Sequence, residues 1–123
     1  MSYDIHLQND KGSSVEVEAH QEGGTYCAMT RTKDSKTGEW ITTVGTTSAE
    51  LNVTYNYSKH FSFRFLHGRT AKEVVILLEY LVDKLGTERA EDYWEATPGN
   101  AGYAINILLS WAKQHPEATF VVY

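Results

Sequence analysis

The spacing of apolar residues changes at Thr70, and this change limits the folds open to the chain. Before Thr70, apolar residues recur at every second position, as in segment 51–55, which is the period of a β-strand. After Thr70 they recur at intervals of three and four over residues 71–85 and 101–114, which is the period of a helix. The sequence therefore predicts strands followed by two helices.

Polar residues mark the starts of both helices. Thr70 followed by Glu73 is a capping-box pattern, and Gly86 suits the end of the first helix. Segment 97–100 has the residues of a type II turn, with Asn100 left to cap the second helix. We therefore expect the second helix to begin at residue 101.

Residues 1–20 predict a β-hairpin. Pairing Leu7 with Val15 places Ile5 opposite Val17, so that the apolar side chains share one face and the acidic ones lie on the other. Further strands are predicted over residues 51–58 and 119–123.

Residues 30–48 are rich in threonine and poor in core residues. They predict an inserted hairpin with strands near 29–33 and 39–44 that protrudes from the body, and a solvated loop is the alternative. With 123 residues the chain suits one domain, residues 1–123. We expect an α+β fold: an antiparallel sheet, a meander of hairpins, with two α-helices packed on one face and the Thr-rich hairpin projecting.

Composition bears on the partners of the chain. Its 11 basic and 16 acidic residues give a net charge of −5 at pH 7, which argues against direct binding of nucleic acid. The chain lacks a membrane-length apolar run and a basic-then-apolar leader, so we expect a cytoplasmic protein without membrane contact. Cys27 is the one cysteine, and the five histidines lack the spacing of metal ligands, so we expect no metal and no cofactor.

The sequence favours a binding protein over an enzyme. It has no nucleophile elbow and no Gly-rich phosphate loop, and the acidic residues of segment 88–95 are interpreted as solvated charge. We therefore predict no catalytic residue. A reaction is the alternative, since perturbed groups are recognised by geometry rather than by sequence.

The most distinctive polar stretch runs from Tyr55 to Arg69, and we call it the aromatic–basic stretch. Arginine matches phosphate oxygens and an aromatic face accepts a base, so the stretch is a candidate site for a nucleotide-like ligand. The alternative is that Phe61, Phe63 and Phe65 are core residues and the basic groups balance the acidic connector. The candidate ligand-binding residues are Tyr55, Tyr57, His60, Arg64, His67 and Arg69.

A second candidate surface is apolar. Ile76 and Tyr80 lie one turn apart on the side of the first helix opposite its apolar stripe. Together with Trp40 and Ile41 of the hairpin they could contact a host protein or form a homodimer. The alternative is that another element of the same fold covers them.

Several motifs resemble a group of small uncharacterised proteins of bacteriophages and prophages. They are Gly23-Gly24-Thr25-Tyr26 and segments 51–58 (LNVTYNYS), 93–101 (YWEATPGNA) and 111–118 (WAKQHPEA). The resemblance covers most of the chain except residues 30–45, which look like an insertion. It implies a phage context but transfers no activity to particular residues.

The leading hypothesis is a phage-encoded accessory protein, directed against host defence, that binds and blocks a host macromolecule in the host cytoplasm without catalysis. The resemblance supports this only by analogy of context. The first alternative is that the chain sequesters or turns over a nucleotide-like molecule at the aromatic–basic stretch. The second is a virion or assembly component.

Overall fold

The computed structural model describes residues 2–18, 29–33, 36–38, 40–44, 46–92 and 94–123. Within these ranges two short 3₁₀ helices, the first 3₁₀ turn and the second 3₁₀ turn, lie between the strands and the α-helices. The elements are β1 (Ser2–Gln8), β2 (Glu16–Glu18), β3 (Met29–Lys33), β4 (Trp40–Val44), β5 (Thr46–Ser48), β6 (Glu50–Thr54), the 3₁₀ turns (Tyr55–Lys59 and Phe63–Leu66), α1 (Ala71–Leu85), α2 (Pro98–Gln114) and β7 (Thr119–Val122).

The central sheet confirms the predicted α+β class. Strand β1 lies between β6 and β7 and is antiparallel to both, with Ile5 opposite Leu51 on one side and Val122 on the other. The side chains of Ile5, Leu7 and Phe120 are fully buried in the same core as the apolar faces of the helices. The order β6–β1–β7 replaces the predicted meander, because the neighbours of β1 come from distant parts of the chain.

The first hairpin is correct in register but shorter than predicted. The N–H of Val15 donates to the carbonyl of Leu7 at 2.9 Å, as expected. Beyond this point the strands separate: the N–H of Ala49 donates to Val15 at 2.8 Å, and the carbonyl of Ala49 accepts from Leu7 at 3.2 Å. The expected pairing of Ile5 with Val17 is therefore wrong, because the chain around Ala49 inserts and β2 pairs with β5.

The Thr-rich segment forms the predicted hairpin. Strand β3 pairs with β4 over its whole length, from Met29 opposite Val44 to Lys33 opposite Trp40. Among the described residues this pair joins neither of the other sheets, which agrees with a hairpin that stands apart.

The predicted strand over residues 51–58 ends at Thr54. There the Thr54 hydroxyl accepts a hydrogen bond from the N–H of Asn56 at 3.2 Å and begins the first 3₁₀ turn. Threonine side chains offer the backbone such local partners in competition with a strand ladder. The turn directs Tyr57 into the core, where it is 3% exposed.

Helix α1 has the predicted bounds. The Glu73 carboxylate accepts a hydrogen bond from the N–H of Thr70 at 2.7 Å, and Gly86 ends the helix with a φ of 76°. Hydrogen bonds from the backbone and side chain of Thr70 hold the pKa of Glu73 below its ordinary value.

Helix α2 begins one turn earlier than predicted. The hydroxyl of Thr97 accepts from the N–H of Asn100 at 3.1 Å, so Thr97 is the cap and Pro98 occupies the first turn. Proline suits this place because it has no N–H to leave unsatisfied and its φ is already helical. The predicted type II turn and the Asn100 cap are therefore wrong.

Glycines bring the start of α2 against the main chain that follows α1. A Cβ atom at Gly102 would collide with the carbonyl oxygen of Gly86, and one at Gly99 would collide with the carbonyl oxygen of Glu88. Only glycine therefore permits this close approach of the backbones.

Candidate ligand-binding surface

The structure gives the six predicted ligand-binding residues different degrees of exposure. Arg64 is exposed, Tyr55 is 38% exposed, and Arg69 is half-buried. His67 is also exposed, His60 is half-buried and Tyr57 is buried in the core.

Both histidines of the stretch bond to the main chain. The Nε2–H of His60 donates to the carbonyl of Ala96 at 2.8 Å, which ties the first 3₁₀ turn to the connector between the helices. The Nδ1 of His67 accepts from the N–H of Val122 at 3.0 Å, on the side of β7 away from β1. These bonds give the two imidazoles structural partners.

Aromatic rings form a continuous row beside the 3₁₀ turns. The ring centroids of Tyr3 and Tyr55 are 4.5 Å apart, and those of Tyr3 and Phe63 are 6.2 Å apart. The row continues from Phe63 to Phe61 at 5.2 Å and from Phe61 to Phe65 at 6.5 Å. Phe63 is fully buried and anchors the row, whereas Phe65 is 45% exposed.

Each arginine of the stretch lies against one of these rings. The Arg69 Nε–H donates to the carbonyl of Phe65 at 2.8 Å, and its guanidinium carbon lies 3.9 Å from the centroid of the Phe65 ring. The guanidinium carbon of Arg64 lies 5.7 Å from the Tyr3 ring centroid. Neither arginine forms an ion pair within the described residues. We call this set the aromatic–arginine surface: Tyr3, Tyr55, Phe61, Arg64, Phe65 and Arg69.

Sequence reasoning missed Tyr3 as a member of this surface. Its position on the apolar face of β1 suggested core, and it does pack on the core while remaining partly exposed. The pairing of Tyr3 with Val53 places it one residue from the end of the β1–β6 ladder, beside the turn that follows. Only that long-range pairing brings it next to Tyr55.

Charge is segregated along the chain around this surface. Residues 51–72 contain four of the 11 basic residues and none of the 16 acidic residues. One of the four, Lys72, pairs with Glu117 at 3.1 Å, and Lys59 is exposed in the first 3₁₀ turn. The segment that carries most of the aromatic–arginine surface is thus basic within an acidic chain, and Glu73, which follows it, interacts electrostatically with Arg69.

Asn100 fixes the backbone of the connector next to this surface. It is 3% exposed, and its amide accepts from the N–H of Ala90 at 2.9 Å and donates to the carbonyls of Asp92 at 3.1 Å and Glu95 at 2.9 Å. Asn56 donates to the carbonyl of Trp94 at 2.8 Å, so Trp94, 47% exposed, is held beside the first 3₁₀ turn. An asparagine in a helix start of small and apolar residues was the available signal for this role.

The apolar pair on α1 is exposed. Ile76 is 80% exposed and Tyr80 is 59% exposed, with the Lys84 ammonium 5.9 Å from the Tyr80 ring centroid. The side chains of Trp40 and Ile41, predicted to share this role, lie outside the described part of the structure.

The other titratable groups form smaller clusters. His6 lies 3.6 Å from a Glu50 carboxylate oxygen and 3.3 Å from the Ser14 hydroxyl, on the solvent face of the sheet. A search of the described residues finds no group of three or more histidine, cysteine or acidic side chains placed to hold a metal ion. Cys27 lies outside the described residues.

None of the helices in the described ranges combines the length and the apolar composition required to cross a bilayer. Comparison of the chain with protein-family models, curated proteins and solved structures finds no match.

Proposed function

We propose that this chain is a small phage-encoded accessory protein that binds and blocks a host macromolecule in the host cytoplasm, without catalysis and in opposition to host defence. The observation that supports a binding role is the exposure of Ile76 and Tyr80 together on the outer side of α1. The phage context rests on the resemblance of the sequence motifs.

The position of α1 explains why the pair is available to a partner. The opposite side of the helix buries Val74, Leu78 and Leu81 in the core. The helix therefore cannot rotate to hide Ile76 without exposing that stripe. Covering Ile76 with a partner would contribute up to about 2 kcal/mol.

The charged residues around the pair suit a protein contact. Lys84 lies against Tyr80, and Glu79 pairs with Lys113 of α2 at 3.4 Å. Apolar and aromatic residues inside a charged rim are typical of the centre of a protein interface. We therefore infer that the blocked macromolecule is a protein.

Capture from host lysate by the immobilised protein tests this proposal. Ile76→Asp should abolish recovery of the specific partner, because it places a charge at the centre of the contact. Asn106→Asp is the matched control, since it adds the same charge to an exposed position of α2 and should leave capture intact. Thermal denaturation of both variants verifies that they are folded.

Two results would contradict the proposal. Equal capture by wild type and Ile76→Asp would remove the pair from the contact. Sedimentation of the wild type as a dimer that Ile76→Asp converts to a monomer would make a second copy the partner.

A further inference from the structure

We infer that the aromatic–arginine surface binds a nucleoside phosphate, with the base on Tyr55, the phosphate at Arg64, and Arg69 adding positive charge further along the aromatic row. This activity goes beyond the proposed function, because it uses a different surface from Ile76 and Tyr80. It is carried by two guanidinium groups that are held on aromatic rings and form no ion pair in the described structure.

The contacts of the arginines favour binding of an anion. Arg69 is fixed by its Nε–H bond to Phe65 and by stacking on the Phe65 ring, so little side-chain freedom remains to be lost on binding. A fixed guanidinium presents its remaining N–H groups in the fork that matches phosphate oxygens. Segment 51–72 contains no acidic residue. The nearest carboxylate along the chain, that of Glu73, accepts the N–H of Thr70 and interacts electrostatically with Arg69 without forming an ion pair with it.

The tyrosines offer an aromatic surface on which the base of the ligand can stack. The ring centroids of Tyr3 and Tyr55 are 4.5 Å apart with an interplanar angle of 56°, and Tyr55 remains 38% exposed. Every base has a π-face, so any base can stack on an aromatic side chain. The hydroxyls of Tyr3 and Ser58, 3.2 Å apart, lie at the same place and offer polar contacts to a ribose or base edge.

Charge favours a short ligand over a nucleic-acid strand. Segment 51–72, which carries most of this surface, has four basic and no acidic residues on a chain whose net charge is −5. A strand that extends beyond this region meets acidic protein, and binding by successive phosphates requires successive cations. A ligand with one base and one or two phosphates stays within the region.

Calorimetric titration and thermal denaturation with ADP test the inference on the complete chain. We expect saturating ADP to raise the melting temperature by at least about 4 °C. Arg64→Ala should weaken ADP binding at least about tenfold, since a charge-assisted bond is lost, and Tyr55→Leu should weaken it at least about fivefold. Arg64→Lys keeps the charge and loses the fork, so it should bind with intermediate affinity.

Matched controls lie elsewhere on the molecule. Arg89→Ala removes an arginine that lies 4.8 Å from the ring centroid of Tyr103, and Tyr123→Leu removes a tyrosine that is 61% exposed on the sheet. Both should bind ADP as the wild type does. Adenosine and pyrophosphate, tested separately, should each bind more weakly than ADP, because each makes half of the contacts.

Four outcomes would overturn the inference: absence of ADP binding, equal binding of pyrophosphate and ADP, tighter binding of a ten-nucleotide strand than of ADP, or unchanged affinity in Arg64→Ala. None of them affects capture of a host protein through Ile76, so the failure of this inference is distinguishable from the failure of the proposed function.

Discussion

Both helices have apolar residues at helical spacing, but they differ in how much of their circumference is buried in the core. Helix α2 is surrounded: Ile105, Leu108 and Trp111 are at most 1% exposed, and buried residues occur around most of its circumference. Helix α1 buries one stripe and leaves Ile76 and Tyr80 in solvent. The additional apolar residues thus lie in the core in α2 and in solvent in α1, because α2 has neighbours on more sides within the described structure.

The largest expected effect is the difference in unfolding free energy between two variants in which an aromatic residue of each helix is replaced by alanine. Trp111→Ala should lower the free energy of unfolding by about 4 kcal/mol, because a large buried side chain leaves a cavity. Tyr80→Ala should change it by less than about 0.5 kcal/mol, because Tyr80 is a surface residue. Urea denaturation measures both values, and comparable losses would show that Tyr80 is covered by the fold.

A smaller loss of stability is expected from a substitution at the start of α2. Asn100→Ala should cost about 2 kcal/mol, because it leaves the N–H of Ala90 and the carbonyls of Asp92 and Glu95 without their partner. Asn106→Ala, at an exposed position of the same helix, is the control and should be close to neutral. Equal stability of the two variants in urea would mean that solvent replaces these bonds.

The smallest expected effect is a change in the pH dependence of stability, caused by the capping residue Glu73 at the start of α1. Because bonds from Thr70 lower the pKa of Glu73 in the folded protein, the charged carboxylate adds stability above its unfolded pKa of about 4.3. This stability is lost as the pH falls through the lower, folded pKa. Glu73→Gln keeps an acceptor for the Thr70 N–H but does not titrate, so stability should fall less steeply below about pH 4.3.

Chemical denaturation between about pH 6 and about pH 3 measures this slope. Glu91→Gln is the matched control, because it also removes one carboxylate but at an exposed position of the connector. Superimposable curves for the wild type and Glu73→Gln would contradict the role of the capping bond.

Sequence patterns located the elements that depend on near neighbours. The bounds of α1 followed from Thr70, Glu73 and Gly86, because a helix is closed by bonds to residues three and four positions away. The strands of the Thr-rich hairpin followed in the same way from a turn between two β-favouring runs. In both cases the residues that determine the bounds of the element lie within it or a few positions away.

The strand order and half of the candidate site depend on residues far apart in the chain. Nothing local to Leu7 or Val15 indicates that Ala49 will separate their strands, and nothing near His60 indicates its bond to Ala96. One strand end and one helix start were also misplaced. Thr54 caps a 3₁₀ turn inside the predicted strand, and Thr97 caps α2 inside the predicted type II turn. The aromatic–arginine surface was therefore predictable in its arginines and Tyr55 but not in Tyr3.

The backbone contact between Gly86 and Gly102 has a consequence for how the protein can diversify. It brings the two ends of the connector together, so the intervening chain is a loop whose base is already closed by the helices. Doubling the length of such a loop costs only about 0.6 kcal/mol of closure entropy. Provided the anchoring amide of Asn100 finds equivalent carbonyls, new residues grafted into this loop would change what the molecule presents to its surroundings while the helix pair beneath stays where it is.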